Sequence, residues 1–283
     1  MKTGLVMEVG AMRGLFTAGV IDVMMEEEIE FDGAIGVSAG AAFGCNYKSK
    51  QIGRALRYNI NYCKDKRYCS MKSLITTGNL YGAEFCYHEL PDKLDIFDCE
   101  TFENNPMEFY LVCTDVLTGK PVYKKCEKAD YDCLEWMRAS ASMPLASKVV
   151  EIDGYKMLDG GVSDSVPLKY FESIGYDRNI VILTQPKNYV KKKNPLIPIM
   201  KIVLRKYPNL VKAMEERHEM YNETIKYICE KEEKGEILVI RPDGDLPVGR
   251  TESDPEKLRA CYEMGRKQAE KKLDEIRKFL MTR

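Results

Sequence analysis

Histidine is nearly missing from this chain: only His88 and His218 occur among 283 residues. That scarcity leaves little room for a histidine-based catalytic triad or a histidine-rich metal centre. Charge of one sign is missing too. The 43 basic and 44 acidic residues nearly cancel, which removes the electrostatic footprint of a nucleic-acid-binding protein. No stretch reaches 18 consecutive apolar residues, the length expected of a membrane-crossing helix. Met1-Lys2-Thr3-Gly4 leads directly into strand-like sequence, without the pattern of a secretory leader, so a cytoplasmic chain is expected. Ten cysteines are present but none forms a C-x-x-C pair, and in that compartment they are expected to be reduced thiols. No cluster has zinc-ligand spacing, and no cofactor or metal is expected.

What is present is an alternation of strands and helices. Leu5 to Val9 is a short apolar run stopped by Gly10-Ala11-Met12-Arg13-Gly14, and the following stretch puts Phe16, Val20, Val23 and Met24 on one helical side. Phe31 to Ile35 reads as a second strand, and Ala39 begins another helix. This order predicts an α/β fold on a mainly parallel sheet. Residues 54–106 are tyrosine-rich, charged and irregular in pattern. Glu108 to Cys113 and Pro121 to Lys124 read as strands, and Glu151 to Leu158 as a hairpin turning on Asp153-Gly154. Asn179 to Thr184 is a continuous apolar run suited to a central strand. After Gln185-Pro186 the character changes. A long charged helix is predicted from near Asn209 to Lys234, stopped by Gly235, then a strand over Glu236 to Ile240. Ser253-Asp254-Pro255-Glu256 predicts an N-cap and capping box opening a final helix.

Gly36-Val37-Ser38-Ala39-Gly40 is G-x-S-x-G, placed where a strand ends and a helix begins. Such a turn strains the serine backbone and points Oγ away from the sheet, while the glycines let strand and helix approach. The same residues could also form a plain packing turn. A nucleophilic Ser38 needs a base, and neither histidine suits. His218 lies on a charged helical face and His88 in a polar stretch before Pro91. A carboxylate must then activate the hydroxyl, and Asp159 in Leu158-Asp159-Gly160-Gly161 is best placed, at a strand end before two glycines. An ordinary aspartate is a weak base, but burial raises its pKa. Asp159-Gly160 could equally be a simple turn. Gly10 to Gly14 offers N–H groups at a helix start, for either a phosphate or an oxyanion. It lacks the G-K-S/T of a nucleotide loop and does not fit G-x-G-x-x-G.

Taken together these motifs resemble the patatin-like phospholipases, across about residues 4 to 185 and in the expected order. Arg138-Ala139-Ser140, Pro144, Cys113-Thr114-Asp115, Thr118-Gly119 and Pro167 extend the match. The resemblance implies a three-layer α/β/α fold with a C-terminal helical extension, and a serine–aspartate dyad of Ser38 and Asp159. It implies an oxyanion hole from Gly10, Ala11 and Met12, with Arg13, Gly14, Gly36, Gly40, Gly160 and Gly161 in supporting positions. Val9 and Ala11 stand where the family often has glycine; neither removes a backbone N–H, so an oxyanion site survives provided their φ stays negative. Ser165 replaces a frequent asparagine. The implied layout is a catalytic domain over 1–186 and a helical extension with one strand over 187–283, packed on the core.

The function expected from this resemblance is acyl hydrolysis of a lipid or small ester through an acyl-serine. Acyl transfer to an acceptor other than water and non-catalytic lipid binding are the alternatives. Val37 stands beside Ser38 where related acyltransferases usually carry histidine. Residues 187–206 hold seven basic residues and no acid, interleaved with Leu196-Ile197-Pro198-Ile199-Met200 and Ile202-Val203-Leu204. That segment reads either as a peripheral contact with an anionic membrane or as a cap beside the active-site mouth with solvated lysines.

Overall fold

A computed structural model describes residues 1–281 of the chain. In order, the elements are β1 (Lys2–Met7), α1 (Gly14–Glu26), β2 (Gly33–Val37), α2 (Ala39–Lys48), α3 (Arg54–Tyr62), α4 (Met71–Thr77) and α5 (Cys99–Asn104). There follow β3 (Glu108–Asp115), β4 (Pro121–Lys125), α6 (Tyr131–Ser140), β5 (Val150–Ile152), β6 (Tyr155–Asp159), α7 (Leu168–Ser173) and β7 (Tyr176–Ile182). The chain continues with α8 (Ile197–Val203), α9 (Pro208–Glu233), β8 (Leu238–Ile240) and α10 (Pro255–Met281). The sheet runs β5-β6-β3-β2-β1-β7-β8, with β4 also paired to β3. The five strands from β3 to β8 are parallel, whereas β4 and β6 join β3 antiparallel.

Strand alternation builds the three layers. Leu5, Met7, Ala34, Phe109 and Ile180 face α1, α2, α6 and α10, while Val6, Ile35, Val112 and Val181 face α7 and α9. The order of strands reverses at β1, whose neighbours are β2 and β7. Ligands of open α/β sheets gather beyond the carboxyl ends of strands at such a reversal, here beyond Met7.

α1 and α10 meet backbone to backbone. A Cβ built on Gly19 would lie 2.1 Å from the Tyr262 carbonyl oxygen, and one on Gly265 would lie 2.0 Å from that of Phe16. Asp22 of α1 ties the same helices together. Its Oδ2 accepts from Tyr262 Oη at 2.7 Å and from the N–H of Gly53, just before α3, at 2.9 Å.

Three local expectations are corrected. β2 begins at Gly33 because Asp32 turns back onto β1, its carboxylate accepting from Thr3 N at 2.7 Å and Thr3 Oγ1 at 2.9 Å. The final helix is capped by Asp254, whose Oδ1 accepts from Glu256 N at 2.9 Å, while Ser253 N turns to Glu252. Residues 54–106 are largely helical, with a wide π-type turn over Phe85–Leu94, because their aromatics pack on one another from separate elements. Tyr62 meets Phe85 edge-on, and Tyr68 meets Tyr81 likewise.

Candidate active site

Ser38 follows the last residue of β2 at φ 55° and ψ −118°, and α2 starts at the next residue. This is a strained conformation for a residue with a Cβ, and it lifts the side chain off the end of the sheet. The turn is held from below: Ser38 N donates to Ser140 Oγ at 2.9 Å, and Ser140 Oγ donates to the Val112 carbonyl at 2.6 Å. Its glycines are obligatory by space. A Cβ on Gly36 would lie 2.3 Å from the Gly40 carbonyl, and one on Gly40 would lie 2.6 Å from that of Met7.

Asp159 arrives by a different route. β6 pairs with the last residues of β3, matching Cys113 with Asp159, while Val37 on the other side matches Val112. Ser38 and Asp159 therefore straddle β3 at one level. The Asp159 main chain is fixed by its N–H to Ser142 O at 2.8 Å and by Thr114 Oγ1 donating to its carbonyl at 2.8 Å. Oδ1 accepts from Gly161 N at 2.7 Å. Gly160 gives the strand its exit, since a Cβ there would lie 2.1 Å from the Val112 carbonyl. Burial raises the Asp159 pKa above its ordinary value; the Ser38 hydroxyl and the Arg217 guanidinium pull it part of the way back. A buried, oriented carboxylate with a raised pKa has the properties of a general base.

Gly10 to Arg13 form the turn between β1 and α1. The first N–H groups of such a turn have no intrahelical acceptor. Gly14 packs this turn on the elbow, because a Cβ there would lie 2.7 Å from the Ala39 Cβ. One expectation fails here: Ala11 has φ 47°, not a negative angle. Alanine in this left-handed region carries strain of about 1–2 kcal/mol, so the turn does not keep the backbone that the comparison with glycine assumed.

Ser38, Ala11 and Met12 share a mostly apolar cavity of about 120 Å³. Phe43, Tyr58, Tyr87, Leu90 and Met137 line it further in. Gly10 sits behind the cavity, close to Thr184 and Gly14. The aromatic lining comes mainly from residues 54–97, where the sequence has no single period, so it was not legible beforehand.

The family model for patatin-like phospholipases matches residues 5–172. The chain belongs to the patatin-like phospholipase family. A second model, for a domain of unknown function (DUF6363), matches residues 207–281. The uncharacterised protein YjjU of Escherichia coli is 30% identical over 195 residues, covering 65% of this chain and 52% of that protein. An uncharacterised NTE family protein of Mycobacterium tuberculosis is 24% identical over 182 residues, 64% of this chain and 48% of the relative. Lysophospholipase nte1 of Aspergillus oryzae is 26% identical over 183 residues, 62% of this chain and 11% of that protein. The chain thus spans about half the length of the first two relatives. VipD of Legionella pneumophila aligns in structure with a TM-score of 0.46 and 12% identity, covering 97% of this chain and 67% of that one.

In this patatin-like chain each histidine is engaged away from Ser38 and Asp159. His88 is buried, stacked on Tyr131, with Nε2 at 2.9 Å from Glu135 Oε1. His218 lies on α9 with Nδ1 at 3.0 Å from the Glu215 carbonyl. Arg217, its neighbour, does reach the site: Nε donates to the Gly161 carbonyl, which Ser165 Oγ also satisfies at 2.8 Å. Arg217 escaped the sequence reading because it sits in a run of charges that looks like a solvated face. Arg13 is not part of the cavity lining; its charge acts on Tyr221 and Lys191, and its Nε is buried without a hydrogen-bond partner among the described residues.

Proposed function

We propose that this protein is a serine acyl hydrolase acting on carboxylic esters of lipids, with Ser38 as nucleophile and Asp159 as its base. The observation that carries the reading is the strained Ser38, hydrogen-bonded to a buried carboxylate, on the wall of an apolar cavity. Asp159 takes the proton as Ser38 Oγ attacks the ester carbonyl. The tetrahedral oxyanion is met by the N–H groups of Ala11 and Met12, which line the cavity, each such donor contributing about 2.7–4 kcal/mol to the transition state. Asp159 then protonates the leaving alcohol, and the acyl chain stays on Ser38 with its tail in the cavity. Water, deprotonated by Asp159, attacks the acyl-serine; the fatty acid leaves and Ser38 regains its proton.

Hydrolysis of p-nitrophenyl esters from C4 to C16 by the wild type, Ser38→Ala and Asp159→Asn tests this. Both variants are expected to lose about 10²–10⁴-fold in kcat. Full activity in Asp159→Asn would require another base and reject the dyad.

The same reading includes peripheral contact with an anionic bilayer through residues 187–206. α8 buries Ile197 and Met200 beside Leu145 and Val149, leaving Leu196, Ile199, Ile202 and Val203 exposed. Met143 and Ser147, in the loop that α8 covers, line the cavity, so this apolar edge flanks its mouth. Lys192, Lys193 and Arg205 are exposed around it. No helix among the described residues is long and apolar enough to cross a membrane.

A further inference from the structure

We infer that Lys191, Arg217 and Arg250, together with Arg13, form an anion site beside Ser38 and Asp159 that receives a phosphate carried next to the scissile ester. This rests on the acyl-hydrolase reading and adds the chemistry of the head group. Three of the four cations lie beyond residue 186, outside the part that carries the dyad.

α9 brings the first two together. Arg217 and Tyr221 are one helical turn apart and share a face. Arg217 Nε is committed to the Gly161 carbonyl, two residues from Asp159, which leaves its terminal nitrogens for a ligand. Lys191 Nζ lies 4.2 Å from the centre of the Tyr221 ring. The Lys191 main chain is clamped by Asn222 from both sides, at 2.9 Å through its N–H and 3.0 Å through its carbonyl. Arg250 is placed at the cavity rim, where its carbonyl accepts from the hydroxyl of Tyr81, a lining residue, at 3.4 Å. Arg13 contributes a buried Nε that no group among the described residues satisfies.

Arg13, Lys191 and Arg217 are partly buried and Arg250 is exposed, and none of the four makes an ion pair among the described residues, unlike several other sheltered cations. Arg54 pairs with Asp95, Arg138 with Glu135 and Arg241 with Glu232. Two carboxylates face the group. Asp159 is the base, and Glu8 is already engaged by Tyr221 Oη at 2.7 Å and by the N–H and hydroxyl of Thr184. Four cations against two carboxylates leave an uncompensated positive charge beside the cavity, just outside its lining. A phosphate dianion supplies the missing charge and accepts several donors at once.

Lys191 reports the imbalance. Burial, then the charges of Arg217, Arg13 and Arg250, lower it to about 7, against the opposing pull of Glu8. Tyr189, at 5.5 Å from Nζ to ring centre, and Tyr221 complete its surroundings. A bound dianion would restore its proton, so affinity for a phosphate-bearing substrate should fall as pH rises through 7.

The test compares 1-oleoylglycerol 3-phosphate with 1-oleoylglycerol, which share acyl chain and ester. Wild type is expected to favour the phosphate ester at least tenfold in kcat/KM. Lys191→Met and Arg250→Gln should each reduce that ratio about tenfold, and Lys191→Met should abolish the rise in KM above pH 7. Lys267→Met, on an exposed part of α10, should keep the wild-type ratio. Equal ratios in all four proteins overturn the site. Titration of the two lipids into Ser38→Ala reads binding without turnover. If the wild type is silent on every ester, tighter binding of the phosphate lipid still supports the site while the hydrolase reading falls. Inorganic phosphate that binds while the two lipids bind equally would assign the cations to a free anion and overturn the head-group assignment.

Discussion

Ala11 and Ser38 are both held at positive φ, and only Ser38 carries a side chain capable of nucleophilic chemistry. Ala11→Gly would remove a left-handed alanine costing about 1–2 kcal/mol and add chain entropy to the unfolded state. A net gain of about 0.5–1 kcal/mol in urea denaturation is expected. The proposed base has its own signature. Burial raises the Asp159 pKa and the Arg217 charge opposes that rise, so kcat/KM should fall as acidity protonates the carboxylate. Arg217→Met removes the opposing charge, and the acidic limb of the pH profile should move to higher pH. A limb that stays in place would show that Arg217 does not act on the base. Ser38 and Asp159 were legible because their motifs specify backbone geometry locally, through glycines at fixed offsets. Arg217 and Lys191 were not, since their meaning comes from what α9 brings against Gly161 and Tyr221.

Among the elements, the helix pair α1 and α10 is the most demanding. Gly19 and Gly265 each face a carbonyl oxygen at about 2 Å from the site of a missing Cβ, so even a methyl group has nowhere to go. Gly265→Ala should cost more than about 2 kcal/mol or abolish soluble expression. Gly249→Ala, with nothing within 4 Å, should shift the urea midpoint little. The strands and the long helices were readable from apolar runs and end signals. Gly235 at φ 70° stops the helix as its position implied, and Asp153-Gly154 turns the β5–β6 hairpin. Between Arg54 and Asn104, α3 and the wide turn over Phe85–Leu94 were hidden because they wall a cavity. Their apolar residues answer to a three-dimensional wall, not to one buried face, and leave no clean period.

At the scale of the whole molecule, Asp22 links three helices through a single carboxylate oxygen. Burial raises its pKa to about 6, from 3.8 when unfolded. The sign follows: the folded state holds the proton more tightly, so this stabilisation is complete below pH 3.8 and lost as pH rises through 6. Asp22→Asn keeps one carbonyl oxygen for both Tyr262 and Gly53 and does not titrate. Relative to wild type, its stability should improve by about 2–3 kcal/mol between pH 3.5 and pH 8. Denaturation curves at both pH values check this, and parallel curves would place the titration elsewhere. The glycine seam of α1 also has a consequence in time. Its partner glycine is synthesised about 250 residues later, an interval on the order of 10–50 s at ordinary ribosome speeds. Throughout that interval the helix behind the Gly10–Arg13 turn has an open flank. The emerging chain therefore makes its candidate nucleophile early, and gains the backing of its oxyanion turn only when translation reaches the far end of the sequence.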